Sequence, residues 1–476
     1  MAYLWSDPDR VAPPCMDREC RRAGTRVQRD ASGDFASRCG AMKIPIGAVC
    51  IALAATVLAW SADPALAEPQ AQPAAPAVDP WTVTGATDVR YFSWKSDLGY
   101  PTRVAGGAGG SGSELYIPFA LQTAGRLPNR DFNVELVARG GYVWARQSSG
   151  PLSGEVSTVT DTTTSAAVTY LGWQAIQPFA SVVTNLPTGR SALYGSAANA
   201  RMDPDLVDIA NFGEGFNIGP SVGVNIAVTG SLLLTVSAGY TWRGPFDREN
   251  GLDATDPNIQ SPARINPGDV FTVTAGASYK SGMWVATLNG SVSTETATDE
   301  NGENLYKTGT RYLANAGLTY TWPDTGVTSF SASASHTDRN KVLFTGTPVL
   351  IGEIMNTNSN LYRVGLQHLF PVVQDKLYIG PLGSYLFRDH NGYEPTTLQF
   401  VPEKERWSTG ALLRYGASPN VVWNARVEHV WTREDADPAP GSQRFSVLAN
   451  AFVPGSAVPV VSSDGWQFVG GVNVRF

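Results

Sequence analysis

Side chains able to do covalent or acid–base chemistry are sparse beyond residue 67, and they are not grouped as catalysis requires. The imidazoles are His336, His368, His390 and His429. His336, His368 and His429 fall on alternating faces shared with Phe330, Phe370 and Trp431, which suits an interfacial aromatic band better than a proton relay. Asp389-His390-Asn391 sets an acid beside a base. A general base must reach a positioned nucleophile or water, and adjacent residues often point apart, so we expect no enzyme. All four cysteines, Cys15, Cys20, Cys39 and Cys50, precede residue 51, which excludes disulfides, thiol catalysis and thiolate metal sites from the rest of the chain. Asp299-Glu300-Asn301-Gly302 has the first donors of a calcium loop, but an Asn-Gly turn between strands accounts for it. No metal constellation, nucleotide motif or cofactor requirement emerges.

The chemistry that does emerge is electrostatic. Apolar and aromatic residues recur at every second position, as in Leu232, Leu234, Val236, Ala238, Tyr240 and Trp242, or Val421, Trp423, Ala425, Val427, His429 and Trp431. Residues between them face the other side of a strand. That side carries Arg90, Arg139, Arg243, Lys307, Arg311, Arg363, Arg414 and Arg426 against the acids Asp88, Glu114, Glu135 and Glu428. An arginine at mid-depth on a lipid-facing strand surface costs ~2–4 kcal/mol, so these cations belong on an inner, wet face. Charged rings in such a lumen select ions, and the cation surplus predicts a preference for anions.

The elements that position these residues are strands. The last twelve residues alternate so that Trp466, Phe468, Val472, Val474 and Phe476 share one face while Gln467, Gly471, Asn473 and Arg475 share the other. With Gly471, Val474 and Phe476 at the matching positions, this ending resembles the β-signal of bacterial outer-membrane proteins; Val469 stands where such signals often carry a polar residue. Strand-like stretches alternate between short connections (228–231, 280–282, 323–326, 371–375, 417–420) and long polar ones (95–111, 147–161, 185–214, 244–267, 339–357, 389–402). Outer-membrane barrels place short turns on the periplasmic side and long loops outside. Counting gives seventeen stretches from 82–94 to 466–476, among them 165–172 and 305–322. Single-chain barrels use an even number, and 443–453 is flanked by Pro438, Pro440, Pro454 and Pro459, so it reads as an excursion within the last long loop. The expected fold is all-β: a transmembrane antiparallel up-and-down barrel of sixteen strands, fourteen and eighteen being the neighbouring even counts.

The segments before the barrel read differently. Lys43, an apolar run over 44–60 and the small residues Ala65 and Ala67 have the layout of a cleavable secretory signal over 42–67. Residues 1–41 are Arg- and Asp-rich without apolar periodicity, and are a mis-assigned start or a disordered extension. Residues 68–80 are a Pro/Ala-rich periplasmic lead-in, and the barrel occupies 81–476. Without residues 1–67 the chain holds 27 basic and 35 acidic residues, a formal charge near −8, which excludes a natural nucleic-acid binder.

The longest loop, 185–216, is the candidate constriction. It carries Asp203, Asp205, Asp208 and Glu214, and Pro204 with Gly213 would bracket two helical turns over 205–212 that could fold into the lumen. The alternative is an external loop whose acids meet water or cation-bridged lipopolysaccharide. The Leu186-Pro187-Thr188-Gly189 segment at a strand end, the acidic loop, and the stretch over 267–279 (PGDVFTVTAGASY) resemble members of the transporter-like barrel family associated with phenol and other aromatic degradation pathways. The resemblance spans the middle third of the chain and implies passage of small, partly hydrophobic molecules. The expected partners are outer-membrane lipid and lipopolysaccharide, the barrel-assembly machinery and small solutes. A surface adhesin or structural barrel, and then an outer-membrane hydrolase, are the competing classes.

Overall fold

The computed structural model of the chain describes residues 81–96, 110–127, 131–149, 152–173, 175–248, 263–323, 325–344, 346–436, 443–446, 451–454 and 460–476. The expected leader, lead-in and extension over 1–80 lie outside the described residues. Sixteen strands form the wall: β1 Trp81–Ser96, β2 Gly110–Arg126, β3 Phe132–Ser149, β4 Thr162–Tyr170, β5 Ile176–Leu186, β6 Asn217–Ala227, β7 Leu232–Arg243 and β8 Val270–Ser281, then β9 Trp284–Glu295, β10 Arg311–Trp322, β11 Gly326–Thr337, β12 Leu361–Val373, β13 Leu377–Arg388, β14 Lys404–Ser418, β15 Val421–Glu434 and β16 Val461–Arg475. Each pairs antiparallel with its sequence neighbours, and β1 pairs with β16 over thirteen positions from Thr84↔Arg475 to Ser96↔Ser463. Phe476 completes the seam: its N–H donates to Val83 O at 2.8 Å and its carbonyl accepts from Val83 N at 3.2 Å. The sheet is a closed barrel with no free edge in its wall. No described helix is long and apolar enough to cross a membrane, which says nothing about crossing by strands.

The connections alternate in length as expected. Those after even-numbered strands are short, for instance 228–231, 323–325 and 419–420, and those after odd-numbered strands are long, for instance 187–216, 338–360 and 389–403. Both ends of the barrel-forming chain sit at the short-turn rim, since Trp81 pairs with Gly125 near the end of β2. At the long-loop rim several strands resume after a break. Phe246–Arg248, Ala263–Asn266, Thr298–Glu300, Glu303–Lys307, Lys341–Val342 and Ile351–Gly352 pair in sequence order as a six-stranded outer sheet. Leu152–Val159 likewise continues the partner of β3 beyond β4.

One expectation changes here. The stretch 305–322 is not one strand: residues 308–310 break it, and Lys307 pairs with Lys341 in the outer sheet rather than lining the wall. Gly309 causes the break, because its backbone is pinned by Asn340 Oδ1 at 3.0 Å and a Cβ there would sit 2.1 Å from Asp338 O. The stretch 443–453 is indeed an excursion, with Gln443–Ser446 and Ala451–Pro454 forming a separate two-stranded sheet between β15 and β16. The Asp299–Gly302 segment is a hairpin turn with Asn301 and Gly302 at positive φ (53° and 90°), the backbone an Asn-Gly turn needs.

Alternation then sorts the side chains. Outward residues such as Val236, Phe271, Leu288, Val292, Leu318, Leu366, Trp423, Trp466 and Phe468 are all exposed despite their apolar character. Inward neighbours are small or polar: Ser237 with Thr274 (2.6 Å), Ser181 with Ser221 (2.6 Å), and Ser384 with Ser408 (2.7 Å) share hydroxyl hydrogen bonds between adjacent strands. The buried apolar cluster lies within the long-loop half of the barrel, where Phe92, Trp94, Val143, Ala145, Val430 and Val461 from the wall meet Leu193, Met202, Leu206 and Phe212 from the 187–216 loop.

Gly326 begins β11 at φ +116°, and a Cβ there would lie 1.8 Å from Leu369 O, whereas one at Gly230 in another short turn meets nothing within 4 Å. Gly326→Ala should therefore lower stability by about 1–3 kcal/mol and Gly230→Ala by well under 1 kcal/mol. Denaturant midpoints of the two variants measure the difference, and equal midpoints would refute the assigned turn geometry.

Candidate functional site

The loop 187–216 is built to enter the lumen. Its neck is held by one carboxylate, because Asp161 accepts from Gly189 N at 2.8 Å, Glu214 N at 2.6 Å and Asn185 Nδ2 at 2.7 Å. The two legs cross there so closely that a Cβ on Gly189 would lie 1.9 Å from Phe212 O, which is why the Leu186–Gly189 motif ends in glycine. Arg201 ties the loop to itself: NH2 donates to Ser191 O at 2.9 Å, NH1 to Ala210 O at 3.4 Å, and the guanidinium stands 5.6 Å from the Phe212 ring centre. The resulting compact unit presses its apolar residues on the wall, and Trp94 Nε1 donates to Met202 Sδ at 3.4 Å.

Two ionic anchors fasten the loop to stretches of wall on either side of β16. On one, Lys404 of β14 has a side chain of 0% exposure, with Asp203 Oδ2 at 2.6 Å, Asp205 Oδ2 at 3.4 Å and Glu434 Oε2 at 3.3 Å. Arg388 of β13 joins it, NH1 at 2.8 Å from Asp205 Oδ2 and NH2 at 3.5 Å from Glu434 Oε1. Strand register explains the meeting, since Arg388, Lys404 and Glu434 are direct cross-strand partners on one row. On the other, Arg90 of β1 grips Asp88 with Nε at 2.8 Å and NH2 at 3.2 Å, and its NH1 lies 3.6 Å from Asp208 Oδ2. Beside it Glu114 of β2 accepts from the amides of Asp208 (3.0 Å) and Ile209 (3.3 Å). Burial works against ionisation of Asp203, but the Lys404 charge and hydrogen bond, the Asp205 amide and the Arg388 charge outweigh it and hold the carboxyl below its usual range.

The two helical turns expected over 205–212 do not form. The only described helix is the 3-10 turn Gly195–Ala200, and Asp203–Asp208 makes a single turn closed by Leu206 N to Asp203 O at 3.0 Å. The reason is competition for amides: Asp203 Oδ1 caps the turn by taking Asp205 N at 2.7 Å, and the wall carboxylate of Glu114 then takes the amides of Asp208 and Ile209 that a continuing helix would need. Asp203 and Asp205 meet in one anchor and Asp208 in the other, whereas Glu214 stays at the neck, where its amide and not its carboxylate is engaged.

The wall arginines share the inner face by register. Arg139 lies opposite Ala120 and Thr163, Arg311 opposite Ser293 and Thr337, Arg363 between Ser333 and Leu386, and Arg414 between Tyr378 and Asn424. Arg243 NH1 is 3.3 Å from Glu295 Oε2, and Arg426 Nε is 2.8 Å from Glu428 Oε1. Cations concentrate on β12–β15, and the adjoining wall from β7 to β11 is rich in serine and threonine. At the closing strand Gly471 lies on the inner face against Asp88, where a Cβ would be 2.6 Å from the Asp88 Cβ, while Val474 and Phe476 face out. Sequence reasoning passed over Asp161, Arg388, Lys404, Arg406 and Glu434. The alternation of β14 runs from Arg414 back through Arg406 to Lys404, its first residue.

Asp389 and His390 do not face one another as a pair. Asp389 accepts from both Asn360 N and Asn360 Nδ2 at 2.5 Å, and His390 Nδ1 lies 2.7 Å from Asn391 O. Among the described residues no group of three or more His, Cys, Asp or Glu is arranged to hold a metal.

No family model matches the sequence, and no curated protein sequence matches it. Among solved structures the chain is similar to OccK3 (OpdO) of Pseudomonas aeruginosa, at 9% identity over 84% of this chain and 97% of that one, with a TM-score of 0.39. It is also similar to a Pseudomonas aeruginosa FadL homologue (11% identity, 83% and 90%, TM-score 0.35) and to an outer membrane channel from Pseudomonas putida F1 (11%, 84% and 97%, TM-score 0.32). The fold itself stands on the closed register of this chain.

A carboxyl depressed in the folded state stabilises fully above its unfolded pKa of about 4 and loses that contribution as pH falls below it. Asp203 faces Lys404, Arg388, Asp205 and Glu434, so the anchor should hold from pH 8 to pH 5 and weaken below about pH 4. Hydrogen exchange of the 195–206 amides, which precede the two held by Glu114, should accelerate in that acid range before β8 amides do. Loss of protection between pH 8 and pH 6 would refute the carboxylate anchor.

Proposed function

We propose that this protein is an outer-membrane channel for passive passage of small anionic solutes. The observation that carries the proposal is an inverted surface: apolar outside, wet and cation-rich inside. Two outer aromatic girdles bound an aliphatic band. Trp284 and Tyr320 (centroids 4.3 Å apart) with Tyr320 and Trp322 (4.6 Å) mark the short-turn side; Tyr385 and Trp407 (4.0 Å) with His429 and Trp431 (4.3 Å) mark the long-loop side. Eight residues of a strand tilted near 40° separate Tyr312 from Tyr320, roughly 20 Å along the membrane normal, which suits the apolar band of an outer-membrane barrel. The short-turn rim then faces the periplasm and the long loops face out. In this reading lipid and lipopolysaccharide contact the girdles, and the strand ending in Gly471, Val474 and Phe476 addresses the barrel-assembly machinery.

Arg139, Arg311, Arg363 and Arg414 line the water path, and the infolded loop with Asp203, Asp205 and Asp208 narrows it. A passage lined by arginines, with hydroxyls along β7 to β11, favours solutes with an anionic end, aromatic acids among them, in keeping with the aromatic-degradation resemblance. Occlusion is the one observation that favours a structural or adhesive barrel instead, because the loop's apolar cluster fills part of the outer lumen.

An arginine placed outward at Leu288 should cost ~2–4 kcal/mol of stability in liposomes, and the neighbouring Asn289→Arg, on the inner face, should cost far less. Equal penalties would refute the lipid-facing assignment.

Purified protein in planar bilayers should conduct anions in preference to cations. Replacing Arg311, Arg363 and Arg414 with Ser should move the zero-current potential toward cation selectivity, and deleting residues 203–212 should raise conductance. A cation-selective wild type would overturn the charge argument, and no conductance even after the deletion would favour the adhesin reading.

A further inference from the structure

The acids that Arg388 and Lys404 hold come from the loop, about two hundred residues away in sequence, and not only from the wall. Asp203 and Asp205 present two carboxylates two residues apart, with Asp203 Oδ2 at 2.6 Å from Lys404 Nζ and Asp205 Oδ2 at 2.8 Å from Arg388 NH1. Register sets further cations in the next row toward the short-turn rim. Arg363 and Arg406 flank Leu386 there, and the rows Arg388–Lys404 and Arg363–Leu386–Arg406 are adjacent on β12 to β14. Two donors of this group are buried and unsatisfied among the described residues: the Nε–H of Arg388 and the Nε–H of Arg406. A buried guanidinium donor without an acceptor costs about 1–3 kcal/mol or more, so these two are poised for anion oxygens that the loop does not supply.

We propose that Arg388, Lys404, Arg363 and Arg406 form a binding site for a small dicarboxylate, and that the loop's own Asp203 and Asp205 occupy it as a built-in stand-in for that ligand. This rests on the channel reading and deepens it by naming the solute class and the means of opening. A free dianion reaches the same cations, adds acceptors for the two orphaned Nε–H groups, and competes with the loop. Its binding frees Asp203 and Asp205, while the Asp161 neck and the Arg90–Glu114 anchor keep the loop attached. Glu434 stays on Lys404 and Arg388 throughout, so the cations are never left buried without a partner. A monocarboxylate fills one half of the site and displaces the loop poorly. The dicarboxylate acts as both permeant and key.

The test uses succinate as the probe, with acetate at matched ionic strength as control. By calorimetry on the detergent-solubilised protein, the Asp203→Asn, Asp205→Asn double variant should bind succinate about tenfold more tightly than wild type, because the internal competitor is gone. Adding Arg388→Gln to the double variant should abolish that gain; this change keeps Lys404 paired with Glu434, and heat-modifiable mobility on gels checks that the barrel is intact. In bilayers, succinate but not acetate should raise the open fraction of wild type several-fold, and the double variant should be open without it. Equal succinate affinity in wild type and double variant, or affinity indifferent to Arg388→Gln, would overturn the site. A protein that conducts but ignores succinate in both assays rejects this proposal and leaves the channel. One that binds as expected yet never conducts keeps the site and sinks the channel reading.

Discussion

Every strand in this molecule depends on the seam between β1 and β16. A sheet of sixteen strands open at one edge would present two rows of unpaired N–H and C=O groups, which water can satisfy and hydrocarbon cannot. Closure over thirteen positions, finished by the reciprocal bonds of Val83 and Phe476, removes both rows at once. Closure also fixes parity. Once Gly471 is opposite Asp88, Arg90 must be inside and Tyr91 outside, and the same alternation propagates through all sixteen ladders. The lumen chemistry is therefore set by register, and a slip of one residue would turn the inner charges outward.

A closed wall with a polar lining still leaves a wide interior, and the chain deals with it asymmetrically. Serines and threonines on β7 to β11 carry no charge and bond across strands where they meet, as Ser237 does with Thr274 and Thr319 with Ser329. The cations of β12 to β15 cannot do that, because their like charges repel and the wall acids near them, Glu428 and Glu434, are fewer. The carboxylates of the 187–216 loop make up part of the difference. Its apolar side then covers Phe92, Trp94 and Val430, inward residues that would otherwise face water.

How far this was legible in sequence depends on whether a feature is local. Alternation is local, so the wall strands, the common strand face of the wall arginines, the short and long connections and the excursion over 443–453 can be read from period two and turn chemistry alone. The sequence also marks 187–216 as special through its length and acids. What it hides is pairing across distance. Lys404 stands at a strand end beside Glu403 and looks like a solvated terminus; only the register with Arg388 and Glu434 reveals a buried cation facing Asp203. Asp161 looks like a loop polar residue and holds three donors from segments 24 to 53 residues away. The helix misassigned over 205–212 fails for the same cause, since propensity could not foresee that Glu114 takes its amides.

The loop's fastenings differ in kind, and that difference matters for motion. Asp161 bonds two backbone amides and a carboxamide at a crossing where Gly189 and Phe212 nearly touch, so close backbone packing reinforces these bonds. Glu114 does likewise with the amides of Asp208 and Ile209. The anchor at Lys404 and Arg388 is made only of side-chain charges, the chemistry that a dissolved anion reproduces and that salt and acid weaken. A loop tied at the neck by geometry and at the tip by exchangeable charge has its hinge and its latch separated. Movement is then confined to the side facing β13 and β14, where the arginine-rich wall begins.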